Sequence, residues 1–280
     1  MKGARLNRFG YKIIYLLLFV ASVSLFGLSF RVNPGKIEGH YSGKSFYLPE
    51  ITISNTSDII SEIEITLTPL GQSLTGGPIP EARNKTYCIN EYIEINPKKG
   101  IILEPGEIYK ITPYVKLPND YNFAGGYAMI NVESMPYSNN AENGQTSIIT
   151  TGMIGVIVIV NLDNPEIYAF DMINTSLENE GNNGFTISAT VLNKGNTLNK
   201  FGGNVEIYDK EGNKITSLML KSKRILPENA VNLLADWNPK NRLQGKYDVK
   251  YIVGSPESGN IEITQPFLFD NNQTIKINKE

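Results

Sequence analysis

EIYKITPYVKLP, residues 107–118, repeats its apolar side chains with a period near two and is rich in Ile, Val, Thr and Tyr. That alternation is the signature of a β-strand with one buried face, not of a helical stripe. Reading outward, the same habit recurs upstream in FYLPEITISN (46–55) and EIEITLT (62–68), and downstream in YAMINVESM (127–135) and GVIVIVNL (155–162). It continues through GFTISATVLN (184–193), GNVEIYD (203–209), KITSLMLKS (214–222), AVNLLADW (230–237), KYDVKYIVG (246–254) and IEITQPFLFD (261–270). Gly, Pro, Asn or Asp bounds each run. About a dozen short strands at this spacing predict β-sandwiches.

Composition agrees. The 280 residues contain 31 Asn, 25 Gly and 15 Pro against only 10 Ala, so turn formers are abundant and the best helix former is scarce. Charged residues make up 19% of the chain, too few for a disordered, coiled-coil or nucleic-acid-binding protein. One His and one Cys exclude a His-based zinc site, a multi-cysteine metal site and a disulfide framework.

Lys2, Arg5, Arg8 and Lys12 precede the apolar run IIYLLLFVASVSLFGLSF at 13–30. Residues 1–30 therefore read as a signal peptide or an uncleaved N-terminal membrane anchor, and either one sends the remainder out of the cytoplasm. Beyond it, 22 basic residues stand against 28 acidic ones, a net charge of −6, which does not suit phosphate backbones or anionic lipids. The expected location is extracytoplasmic, in a periplasm or at a cell surface, with membrane contact only through the N-terminal segment if it is uncleaved.

NLDNP (161–165) is a natural joint between two strand series. The expected fold is all-β: after the export signal, two tandem immunoglobulin-like β-sandwich domains, at 31–162 and 163–280. Trp237 and Tyr247 are expected in the second core. Asp209, Glu211 and Asn213 read as a hairpin turn, not a calcium loop; Glu178, Glu180 and Asn182 in LENEGNNG (177–184) read as a solvated loop. His40, in GHYSG, is expected in an exposed loop, and Cys88 as a small buried or half-buried residue. Asn55, Asn84, Asn174 and Asn272 head N-x-S/T triplets, which mark surface positions. No convergent nucleophile, base and orienting group stands out, so the chain reads as non-enzymatic, with no catalytic residue, metal or cofactor assigned.

INPKKGIILEPGEIYKITPYVKLP (95–118), with ITISNTSD (51–58), AGGYAMINVESMP (124–136) and TGMIGVIVIVNL (151–162), resembles the first domain of PapD-like periplasmic pilus chaperones in order and spacing. The L-x-P-G … P … G-G-Y order is also similar to exported surface proteins that interact with WxL-type wall proteins. In the pilus chaperones, the resemblance implies, a final strand with exposed apolar residues fills the missing strand of a subunit, a form of β-augmentation. Here that strand carries Val156, Val158 and Val160 on one face and Ile157 and Ile159 on the other, with Ile154 also apolar. Its second face is either covered by the neighbouring domain or a loop, or donated to a partner. Those chaperones also clamp a partner's terminal carboxylate with an Arg early in the first strand and a Lys in the last, facing the interdomain cleft. In this chain RVNPGKIEG (31–39) offers Arg31 and Lys36, and the last strand has no basic residue.

The function so implied is a chaperone-like or assembly protein acting on other exported or cell-surface proteins by strand or surface contacts, without nucleic acid. The partner-binding residues would be Ile154, Val156, Ile157, Val158, Ile159, Val160, Arg31 and Lys36. The alternative is a cell-surface structural or adhesive module that binds wall protein or polysaccharide.

Overall fold

Pro49 and Pro113 each interrupt a stretch whose alternation predicts a single strand. The computed structural model describes residues 29–82, 85–137, 151–181, 184–240 and 243–269, with the backbone of 275–277. Along the first half run β1 (Phe30–Asn33), β2 (Lys36–Tyr41), β3 (Ser45–Tyr47), β4 (Ile51–Asn55), β5 (Ser61–Pro69), β6 (Gly71–Gln72) and β7 (Pro78–Ile79). They are followed by β8 (Ile93–Glu94), β9 (Ile101–Leu103), β10 (Ile108–Ile111), β11 (Tyr114–Lys116), β12 (Gly125–Pro136) and β13 (Gly152–Leu162). The 46–55 stretch thus becomes β3 and β4, and the 107–118 stretch becomes β10 and β11. A proline has no N–H to give a ladder, so both neighbours break at the same level and continue in a different sheet. β4 pairs with β10, while β3 pairs with β11.

These short strands form two sheets, β1-β4-β10 and β3-β11-β8, opposite the five-stranded sheet β2-β13-β12-β5-β9. Between them lies an apolar cluster that includes Ile51, Ile53, Ile63, Val132, Val156, Val158 and Val160. Each such side chain, fully buried, contributes roughly 1.5–3 kcal/mol. The first strand changes sheets: β1 pairs with β4, and after Pro34 the chain continues as β2, parallel to β13.

The second half contains β14 (Phe170–Gly181), β15 (Gly184–Asn193), β16 (Asn199–Tyr208), β17 (Lys214–Ile225), β18 (Ala230–Trp237), β19 (Gly245–Ser255), β20 (Gly259–Phe269) and β21 (Ile275–Ile277). Sheets β14-β15-β18 and β17-β16-β19-β20-β21 enclose their own cluster. In it Trp237 lies 5.5 Å from Phe185 between ring centroids, and Tyr247 lies 5.3 Å from Phe269. The chain is all-β: among the described residues there is no α-helix, and none is long and apolar enough to cross a membrane. The export segment lies outside the described residues except for Ser29 and Phe30, as do Asn84, Asn182 and Asn272.

Both halves carry the same corner. Nδ2 of Asn55, at the end of β4, donates to the carbonyls of Ile59 and Leu103, while Oδ1 accepts the Ser57 amide. Asn193, at the end of β15, repeats this with the carbonyls of Thr197 and Ile225 and the Gly195 amide. The backbone repeats too. The Gly106 amide donates to Asn55 O and the Asn55 amide to Glu107 O; the Glu228 amide donates to Asn193 O and the Asn193 amide to Asn229 O. LEPGE (103–107) and ILPEN (225–229) are therefore equivalent turns, and Glu228, with φ 59°, stands where the first turn has Gly106 at φ 81°. Asn55 is wholly buried, so its N-x-S triplet does not mark a surface position: the amide is spent on two carbonyls.

Two local readings are revised and a third stands. The segment read as a loop from Leu177 is the end of β14 as far as Gly181, paired with β15. His40 lies on β2, exposed, with Nε2 2.5 Å from Asp163 Oδ1. Asp209 does close a hairpin turn: its carboxylate accepts the amides of Glu211 and Asn213 and the Asn213 side chain.

Candidate partner-binding cleft

Eleven residues of Val, Ile, Gly and a few others make β13 the spine of its sheet. On one side it pairs with β12 along nearly its whole length, from Gly152↔Ser134 to Asn161↔Gly125. On the other side β2 covers only Ile157 to Leu162. Gly152–Val156 has no described strand on that side, because the chain before Lys36 diverges to pair with β4. The Ile157 amide donates to Gly35 O at 3.1 Å, toward β2. Backbone groups on a strand alternate direction, so the N–H and C=O of Met153 and Gly155 point to the same, open side. Met153 is 61% exposed.

The side chains singled out from the sequence are largely committed internally. Val156, Val158 and Val160 are fully buried in the first cluster, and Ile154 packs against it. Ile157 and Ile159 face the other way, into a smaller cluster with Leu70, Tyr127, Met129, Leu198 and Leu226. Leu198 and Leu226 come from the second half, so the neighbouring unit covers this part of the strand's second face. The Leu198 amide donates to the Tyr127 hydroxyl at 2.7 Å, and burial pushes that phenol well above its usual pKa.

Beside this cluster lies a cleft of about 510 Å³, lined among others by Lys36, Ile157, Ile159, Lys223, Arg224 and Leu226. Its floor is apolar and its rim basic. Arg224 of β17 forms a two-point contact with Glu38 of β2, and Lys36 pairs with the same carboxylate. The Arg224 guanidinium, opposed by burial and helped by Lys36, holds the Glu38 carboxyl down at about 2. Lys223 Nζ donates to Thr75 O at 2.5 Å.

The hairpin β6–β7 straps the halves together. Oε1 of Gln72 accepts the Leu226 amide at 2.7 Å, its Nε2 donates to Arg224 O, and its own amide donates to Asn229 Oδ1. Further along, Leu74 O accepts the Asn232 amide.

Of the two basic residues expected as an anchor, Lys36 lines the cleft and Arg31 does not; Arg31 is exposed on β1. The reading of the sequence missed Arg224 and Gln72. Only the run of Lys221, Lys223 and Arg224 at the end of β17 hinted at a basic rim, and nothing local pointed to Glu38, 186 residues away. Cys88 is half-buried, forms no disulfide, and burial raises its thiol pKa. Among the described residues no cluster of three or more His, Cys, Asp or Glu is placed to hold a metal.

No family model matches the chain, and no curated protein matches its sequence. Solved structures do. The chain is similar in structure to chaperones of fimbriae and pili. One is found in a chaperone–tip adhesin complex of CFA/I fimbriae: TM-score 0.41, 12% identity, 84% of this chain and 98% of that one covered. Another is from a complex of SafA pilin with the SafB chaperone of Salmonella enterica: TM-score 0.40, 13% identity, 85% and 96% covered. A third is from the CsuC–CsuE chaperone–tip adhesion subunit complex of the archaic chaperone-usher Csu pili of Acinetobacter baumannii: TM-score 0.39, 11% identity, 84% and 97% covered.

Proposed function

We propose that this chain is a non-enzymatic, chaperone-like assembly protein that holds another exported protein by strand pairing along the first part of β13. The observation that carries this reading is the side of Gly152–Val156 on which no described strand pairs, beside the exposed Met153. A strand added there would take its hydrogen bonds from Met153 and Gly155 and reach toward the apolar cleft floor and its basic rim. The basic-then-apolar segment 1–30 supports export to a periplasm or cell surface, and the two separate apolar clusters support two units at 31–162 and 163–280. The contact is assigned to the backbone edge at Met153 and Gly155 and to Lys36, because the three valines and Ile154 serve the protein's own core.

Substituting Val158 would test folding rather than binding, since its side chain is wholly buried. Met153→Pro is the better probe: it deletes a donor on the open side and leaves the β12 ladder intact. Native co-purification from the source cells should yield a fixed protein partner with the parent chain and lose it with Met153→Pro, at an unchanged unfolding midpoint. In the complex, amide exchange at Met153 and Gly155 should slow. A complex indifferent to Met153→Pro, or no partner at all, would sink the proposal.

A further inference from the structure

The sheet β3-β11-β8 presents a surface that the strand-pairing role does not use. Tyr47, Tyr114 and Glu94 lie opposite one another across its three strands, while Phe46, Val115 and Ile93 form the parallel row toward the core. The two tyrosine rings stack at a tilt, with centroids 4.8 Å apart, and Tyr47 is 68% exposed. They help form one groove of about 510 Å³ with Glu91, Glu94, Asn96 and Lys98. Among the described residues, none of these six side chains makes a hydrogen bond or ion pair, although nearby Lys99 pairs with Glu64 at 2.6 Å and Lys110 with Glu50 at 2.8 Å. Two carboxylates, an amide, an ammonium and two phenols thus stand around a ring platform without protein partners among the described residues, free to meet a ligand.

The chemistry narrows the occupant. Glu91 and Glu94 outweigh Lys98, so a phosphate backbone or other polyanion is repelled. β3 and β8, with three and two residues, are too short to template an added strand. Exposed apolar surface is confined to the two rings, which cannot bury an acyl chain. A neutral sugar fits: its C–H face stacks on aromatic rings, and each hydroxyl both donates to a carboxylate and accepts from an amide or ammonium. Glu91 also lines an adjoining depression of about 400 Å³ with Asn90, Tyr92, Asp120 and Asn122, which extends the surface beyond one sugar unit.

We infer that the Tyr47–Tyr114 groove and the depression it joins at Glu91 form a binding surface for a neutral polysaccharide chain. It lies on the sheet opposite β13, so both contacts can be made at once.

The test is native affinity electrophoresis of the full chain in gels containing hydroxyethylcellulose, mixed-linkage β-glucan, mannan or glycol chitin, with heparin as a polyanion control. At least one neutral polymer should retard the chain, and Tyr47→Ala should weaken that retardation roughly tenfold at an unchanged unfolding midpoint. Met153→Pro should leave it unaltered, which separates this site from the strand-pairing edge. Free monosaccharide at the same mass concentration should compete poorly. Retardation by none of the neutral polymers, by heparin alone, or to the same degree in the Tyr47→Ala, Tyr114→Ala double variant would overturn the inference.

Discussion

Arg224 of β17 and Glu38 of β2, 186 residues apart, meet beside the cleft with Nη1 3.0 Å from Oε2 and the second guanidinium nitrogen on Oε1. The carboxyl is held down at about 2 in the folded chain, against about 4.3 for an unperturbed glutamate in the unfolded chain. A depressed carboxylate contributes its full stability above the unfolded value and loses it as pH falls through the folded one. The side chains are 44% and 29% exposed, so solvent screening limits the pair to about 1 kcal/mol. Glu38→Gln is expected to be less stable than the parent by that amount at pH 7, with the gap closing between about pH 4.5 and 2 and shrinking in high salt. Parallel urea titrations across that range check it; a gap constant with pH would refute the assignment.

Gln72 serves the second half with both ends of its amide. Gln72→Ala leaves the Leu226 amide, at a residue only 4% exposed, without its acceptor. The expected loss is about 1–3 kcal/mol, the cost of an unsatisfied buried donor. Gln72→Glu keeps an acceptor but loses the donor to Arg224 O, and should fall in between. Equilibrium denaturation gives the energies, and small-angle scattering should show a larger radius of gyration for Gln72→Ala if the strap sets the spacing of the two units.

The paired corners make a matched test. Asn55→Ala and Asn193→Ala each remove two hydrogen bonds to carbonyls and one from an amide, Asn55→Ala also removes the one accepted from the Ser57 hydroxyl, and each should cost about 2–4 kcal/mol. Asn→Asp at either position should be at least as harmful, because a carboxylate oxygen would then face two carbonyl oxygens. Thermal unfolding of the four variants decides this; tolerance of Asn55→Asp would mean the amide's donor role has been misread.

Glu228 is the described non-glycine residue with a positive φ, at 59°. Glu228→Gly relieves the left-handed strain that Gly106 avoids in the other turn, and should stabilise the chain by up to about 1 kcal/mol. Gly106→Ala should lose a similar amount. A shift in denaturation midpoint of opposite sign for the two variants is the expected result.

The all-β class was legible because alternation is a property of consecutive residues, as in EIYKITPYVKLP and GVIVIVNL. The breaks at Pro49 and Pro113 were written in the same stretches, but only pairing shows that they fall side by side and divert two strands together. β14 was missed because DMINTSLENE mixes polar and apolar residues along a strand with a register shift at Met172/Asn174. The apolar character of β13 was evident; which face meets which core was not, since that depends on Leu198 and Leu226 arriving from the second half. Arg224 and Gln72 owe their roles to partners more than 150 residues away, a distance at which spacing carries no signal. The Tyr47–Tyr114 platform was hidden for the same reason: only strand register makes those residues neighbours.

The repeated corner answers one requirement in two ways. In the second half, the amide of Leu226 finds its acceptor in Gln72 of the first half, and Asn229 receives the Gln72 amide in return. In the first half, the equivalent amide, that of Glu104, is taken by the carboxylate of Glu107, the residue standing in Asn229's place. One copy of the motif is therefore a socket and the other a plug closed on itself. Exchanging an amide for a carboxylate at one position therefore leaves one copy of the corner open to a side chain from the other half of the chain and closes the other copy on itself.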